Sequence, residues 1–266
     1  MEIHILLLIG WAIMAAMMFA AFLWAKKIDN YGFVDVCWSL GLAISAVGYA
    51  LYAPGLWQRR LLVGLLAGFW ATRLTLYLYF NRVRNKPEDG RYQKLREKWG
   101  ESGPWKFFLF FQVQASWDVL FAIPFVAAMY SPAPISIYDV LGVLIWLLAV
   151  SGESLADYQL AQFRADVSTN GQTCNRGLWR YSRHPNYFFE WLHWFAYIAF
   201  AQASPYWYLA ALGPLVMLIF LFKITGIPHT EKQALRSRGE SYRRYQESTS
   251  MFIPWFPKEV KNEEVA

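Results

Sequence analysis

The stretch Gly177–Glu190, GLWRYSRHPNYFFE, sets Arg180, Arg183, His184, Asn186 and Glu190 at the entrance to an apolar, aromatic segment. A bilayer span gains nothing from such side chains. Their desolvation cost points to a ligand, to water or to one another in a polar cavity. Asn186, Glu190 and His193 follow an i, i+4, i+7 spacing and so share one face of a helix. The plainer reading is a basic loop that anchors a helix by its arginines. That accounts for the arginines and leaves Asn186, Glu190 and His193 unexplained.

The elements that must position these residues are membrane helices. The 266-residue chain is 56% hydrophobic, and its 14 Trp, 16 Tyr and 20 Phe are too many for an ordinary soluble domain. Met1–Ile9 contains no Lys or Arg, so it lacks the basic start of a cleaved signal peptide and reads as a retained first helix. Cys37 and Cys174 form no metal-ligand pattern and no disulfide framework. The net charge of +6 lies in loops beside spans, which argues for topology signals and phosphate ligands and against nucleic acid.

Apolar segments fall at about 4–25, 32–52, 59–81, 106–130, 138–160, 187–203 and 206–226, each near the roughly 20 residues that cross a bilayer. The expected fold class is therefore an all-α integral membrane protein of seven transmembrane helices forming a single domain over 1–266. Lys26 and Lys27, the 82–106 loop, the 161–186 loop and the tail after Lys223 are basic and fall on one side. Loops 131–137 and 202–206 carry no Lys or Arg; Arg59 and Arg60 alone break the pattern. The positive-inside rule then places the N-terminus outside and the C-terminus in the cytoplasm, which fits a bacterial inner membrane. Loop 82–106 predicts a short amphipathic helix ending at Gly100, with Gly103-Pro104 opening the next span. Residues 229–256 predict a cytoplasmic surface segment whose Phe252, Trp255 and Phe256 dip into the interface, with a frayed end from Phe256 on.

This topology collects polar groups in the cytoplasmic half of the membrane. Asp35 opens the second span, Arg73 lies two turns from the end of the third, and Glu153 and Asp157 sit one turn apart on the fifth. Asp118 is mid-span in the fourth, with Gln112 and Gln114 above it. The expectation is a polar chamber open to the cytoplasm, with a basic rim suited to a phosphate-bearing cofactor and an aromatic outer half suited to a flat apolar substrate from the lipid. The alternatives are an Asp35–Arg73 structural ion pair and a Glu153/Asp157 helix end in water. No GxGxxG follows a strand, and there is no HExxH. His4, His184, His193 and His229 are too scattered to predict a metal site.

An ordered series of motifs extends this reading. Trp70-x-x-Arg73-Leu74, Asn81-x-x-Arg84 and Glu88-Asp89-x-Arg91-Tyr92 come first. Glu153-x-x-x-Asp157-Tyr158 and GLWRYSRHPNYFFEW follow, and Arg238-Gly239-x-x-Tyr242-x-x-Tyr245 precedes Phe252-Ile253-Pro254. In this series the chain resembles the steroid 5-alpha-reductase family, in its bacterial branch, and more distantly the sterol reductases and isoprenylcysteine carboxyl methyltransferases. The resemblance implies an enzyme that takes NADPH from the cytoplasm and reduces the 4,5 double bond of a 3-oxo-4-ene steroid or similar enone lipid. It implies cofactor contacts at Asn81, Arg84, Asp157, Arg164, Arg183, His184, Asn186 and Tyr187, and catalytic positions at Asp35, Trp70 and Glu190. Trp70 stands where the animal enzymes carry a Tyr. Its indole N–H can donate a hydrogen bond but is no useful general acid. A carboxyl in an apolar wall is held protonated more readily, which predicts Asp35 as the donor to the enolate oxygen.

Two rival readings stand beside the reductase. A methyltransferase using S-adenosylmethionine on a lipid or prenylated substrate would draw on the Arg-His-Pro-x-Tyr signature and on Glu231, Tyr242 and Tyr245. A transporter or lipid-binding protein would explain the buried charge but not the ordered motifs.

Overall fold

The computed structural model describes residues 1–224 and 226–259, and among them every regular element is helical and no strand occurs. Among the described residues, six segments are long and apolar enough to cross a bilayer: Ile3–Lys27, Phe33–Tyr52, Trp57–Val83, Gly90–Met129, Ile137–Ala165 and Trp207–Arg238. They fit an integral membrane protein of the all-α class. The expected span at 187–203 forms a helix of only 16 residues, Pro185–Phe200, short of the roughly 20 that a straight crossing needs. By length the count is thus six rather than seven. Of the C-terminal end, residues 260–266 lie outside the described residues.

The helices are α1 (Ile3–Lys27), α2 (Phe33–Tyr52), α3 (Trp57–Leu78), α4 (Gly90–Trp99), α5 (Gly103–Met129), α6 (Ile137–Ala165), α7 (Pro185–Phe200), α8 (Leu212–Ile219), α9 (Ile227–Arg238) and α10 (Glu240–Ser248). Their limits follow local chemistry. Asp89 caps α4 by accepting from the Arg91 backbone N–H at 2.9 Å. Gly100, at φ +49°, ends it. Pro104 lies in the first turn of α5, where its missing N–H costs nothing. The segment predicted to lie on the surface holds two helices. Gly239, at φ +53°, breaks it between α9 and α10.

The chain divides into two compact units, Met1–Asp139 with Tyr197–Leu212, and Val140–Ala196 with Gly213–Ala266. In the first, α2 packs on α1, α3 and α5. Gly64 lets α3 approach α2; a Cβ there would lie 2.7 Å from that of Ala50. At the cytoplasm-predicted end, Tyr31 stacks on Phe107 at 3.8 Å between centroids, and the Arg96 guanidinium covers Tyr31 at 4.9 Å.

Arg59, the exception to the charge rule, is only 2% exposed. Its Nε and Nη2 donate to the two Asp139 carboxylate oxygens at 2.6 and 2.7 Å. Nη1 donates to the Ser131 hydroxyl and Ala133 carbonyl, and Nη2 also to the Pro134 carbonyl. The charge is thus neutralised inside the protein. Asp139→Ala strands this guanidinium and is expected to cost about 3–5 kcal/mol. The thermal unfolding midpoint of the detergent-solubilised protein should fall accordingly, and less so for a paired Arg59→Leu/Asp139→Leu change. A parent-like midpoint for Asp139→Ala would count against the clamp.

Candidate functional site

Each unit carries a polar cluster built on residues singled out from the sequence. In the first, Asp35 sits in the opening turn of α2. Its oxygens accept from the Tyr92 hydroxyl at 2.7 Å and from Arg91 Nη2 at 2.8 Å, with Arg82 Nη1 at 3.6 Å. The partner expected from the sequence, Arg73, is not the one that Asp35 takes. Nor does Asp35 lie in an apolar wall: its two oxygens accept from the Tyr92 hydroxyl and from the Arg91 guanidinium. Trp70 is fully buried in α3.

The same cluster continues to Asp89, whose carboxylate takes Arg91 Nε at 3.1 Å. Burial raises its pKa, but the hydrogen bonds and charge of Arg91 outweigh that and hold it below the ordinary value. A depressed carboxyl stabilises the fold above the ordinary carboxylate range and loses that contribution only as pH falls through its own lower pKa. Asn81 and Arg84 lie in a π-helical turn, Tyr79–Val83, and just after it. The Asn81 amide donates back to the Tyr77 carbonyl at 2.9 Å. Arg84 is exposed and lies over Phe80, 5.4 Å from the ring centroid. Among the described residues its guanidinium makes no hydrogen bond, so the fork is open.

In the second unit, Gly152 of α6 makes room for the Phe189 ring of α7; a Cβ would come within 2.5 Å of it. That close packing sets Asp157 beside Asn186, whose amide donates to the Asp157 carboxylate at 3.1 Å. The Asn186 carbonyl oxygen accepts the Tyr187 N–H at 3.0 Å. Asp157, Asn186, Tyr187 and Glu190 are all partly exposed. Arg164, at the end of α6, is exposed and makes no side-chain hydrogen bond or ion pair among the described residues. His193 is fully buried, its ring edge-on to Trp194 at 5.0 Å.

The loop that leads into α7 is tied down along its length. Trp179 Nε1 donates to the Ala156 carbonyl at 2.9 Å, and the Leu178 N–H to Gln159 Oε1 at 2.8 Å. Gly177, at φ +57°, lies against the Gln159 amide where no Cβ would fit. Tyr245 of α10 donates to the Trp179 and Ser182 carbonyls. The segment after α10 runs alongside, with Arg183 N–H on the Ser250 carbonyl at 2.8 Å and Ser182 Oγ on that of Phe252 at 2.8 Å. Phe252 is therefore buried against Phe188, Trp191 and Phe222, not dipped into the interface. Trp255 and Phe256 are exposed.

Arg183 and His184, read from the sequence as cofactor ligands on an open rim, are already engaged. Arg183 Nε donates to Glu231 Oε1 at 2.7 Å, and its Nη1 to the Gln246 and Thr249 carbonyls at 2.8 Å each. His184 Nε2 lies 3.3 Å from the same Glu231 oxygen. With its charge neutralised and buried, Arg183 is a poor phosphate ligand and a good anchor. Burial and the neighbouring Glu231 charge push the Tyr242 phenol up to about 12. It therefore stays protonated and faces Glu231 as a donor at 3.4 Å.

Sequence reasoning missed the Asp35 partner Tyr92, although the motif containing it was visible, and it left Glu231 and Gln246 outside the main site. Their contacts join distant parts of the chain and leave no local pattern. Tyr92→Phe removes a partly buried hydrogen bond to a carboxyl group and is expected to cost about 1–2 kcal/mol. It should also speed amide exchange across α4 selectively; exchange as slow as in the parent would contradict the Asp35–Tyr92 tie.

No curated protein and no solved structure shows significant similarity to the chain. A family model described as "Protein of unknown function (DUF1295)" matches residues 21–249, and the chain belongs to that family.

Proposed function

We propose that the protein is an NADPH-dependent reductase of a carbon–carbon double bond conjugated to a carbonyl, acting on an apolar steroid-like or similar enone lipid. It includes seven crossings, with the N-terminus outside and the site open to the cytoplasm, α7 completing the count as a short span where the bilayer is locally thinned. The observation that carries the reading is the Asp157–Asn186 pair, formed between the two helices that hold the most specific motifs. Beside it stand Tyr187 and Glu190 on α7 and the open fork of Arg164 on α6.

The donor set is chemically suited to NADPH. The open guanidinium of Arg164, in the same unit as Asp157 and Asn186, suits a phosphate group, which favours planar bidentate donors. Asn186 and Asp157 offer an amide and a carboxylate to the polar parts of the cofactor. NADPH, when bound, supplies the hydride that reaches the β carbon of the enone. The chain's own contribution is to hold the anionic cofactor, to exclude water with its aromatic helices and to accommodate the charge that develops on the carbonyl oxygen. Asp35 holds Arg91 and Tyr92 in place within its own unit. Arg183 and His184 act by placing Asn186 and Tyr187.

The methyltransferase reading depends on Glu231 with Tyr242 and Tyr245. It is weakened because the Glu231 carboxylate is occupied by Arg183, His184, Tyr242 and Gln246. It retains little capacity for a sulfonium.

Identifying the small molecule that co-purifies with the solubilised protein tests the choice directly: NADPH supports the reductase, and S-adenosylhomocysteine overturns it. Arg164→Gln is expected to weaken NADPH binding about tenfold through loss of one charge-assisted contact. Asp35→Ala and Asn186→Ala should each lower NADPH-dependent enone reduction by about 100-fold in a protein that still elutes as a single species. Near-normal turnover in both would refute the site.

A further inference from the structure

Glu231 lies in the first half of α9, and four side chains of its own unit converge on it. Arg183 Nε is at 2.7 Å and His184 Nε2 at 3.3 Å from Oε1. The Tyr242 hydroxyl is at 3.4 Å from the same oxygen, and Gln246 Nε2 is at 2.9 Å from Oε2. Its side chain is 14% exposed and that of Arg183 is 9% exposed, so the pair exchanges little with water. The preceding residue, Thr230, places its hydroxyl 3.4 Å from that of Tyr187. The Tyr187 ring in turn stacks on His184, at 5.4 Å and 6° between planes. Two consecutive α9 residues thus grip both sides of the His184–Tyr187 segment that contains Asn186.

From this geometry we infer that Glu231 is a positioning residue. Its carboxylate locks Arg183 and His184, and through them sets the entry of α7, so that the Asn186 amide and Tyr187 meet the cofactor in a fixed orientation. This rests on the reading of Asn186 and Tyr187 as cofactor contacts. Arg183 completes the lock by donating to the Gln246 and Thr249 carbonyls at the C-terminal end of α10, where helix carbonyls lack intrahelical partners. One charge therefore joins α9, α10 and the start of α7. Removing it leaves a buried guanidinium without its counter-charge, and the segment it anchors must then shift to reach water.

The test uses the full chain in detergent. Glu231→Gln keeps the side-chain shape and removes the charge. Without added ligand, amide exchange over residues 182–190 should accelerate about tenfold, while α1 to α5 exchange as in the parent. NADPH should bind about tenfold more weakly, and its KM should rise while kcat stays within about threefold, as expected when a binding contact is misplaced and the chemistry is intact. Glu231→Asp keeps the charge and should bind NADPH within about threefold of the parent, the contact being charge-assisted. Parent-like exchange over 182–190 in Glu231→Gln overturns the inference, as does equal impairment of the Asp and Gln variants, which would assign the effect to packing. If the parent binds S-adenosylmethionine instead of NADPH, the reductase reading fails. The lock then stands or falls on the exchange measurement, which needs no ligand.

Discussion

A charged side chain inside a bundle of apolar helices costs several kcal/mol unless a counter-charge and further hydrogen-bond partners meet it there. The rest of this structure is arranged around that constraint. Arg59 illustrates its full satisfaction, with Asp139, the Ser131 hydroxyl and loop carbonyls taking its donors. The clamp joins the start of α3 to the connection between α5 and α6, which are far apart in sequence. Such a pair adds little net stability over apolar residues of the same volume, but it penalises any arrangement that leaves one partner behind.

The same constraint orders the two polar clusters. Asp35 cannot sit at the mouth of α2 unless α4 delivers Arg91 and Tyr92 to it. The amphipathic helix is thereby fixed at one place on its unit instead of lying loosely on a surface. Arg183 cannot be buried at the mouth of α7 unless α9 delivers Glu231 and α10 delivers its terminal carbonyls. In each case a short polar helix outside the bundle supplies the charge that an apolar helix end requires.

These engagements sort the basic residues into two kinds. Arg59, Arg91, Arg96 and Arg183 are held by carboxylates of the chain itself. Arg84 and Arg164 are exposed and have no such partner among the described residues. A guanidinium whose charge is already matched by a carboxylate has less to offer an anionic ligand than an open one. The functional reading shifts accordingly, from a rim of equivalent arginines to a few open ones supported by several anchored ones.

The amino-acid sequence by itself determined the helical class, the positions of most of the long helices and the stop of α4 at Gly100. Each follows from local hydrophobic length, period or turn chemistry, which are properties of contiguous residues. The break at Gly239 was equally local but was hidden by the polar composition around it. Tertiary structure alone decided which carboxylate serves which arginine: Asp139 for Arg59, Arg91 instead of Arg73 for Asp35, and Glu231 for Arg183 and His184. It also decided that Phe252 is core while Trp255 and Phe256 face outward. The reason is physical. Burial makes charge neutralisation obligatory, yet any carboxylate within reach can satisfy it, and reach is settled only when the helices have packed.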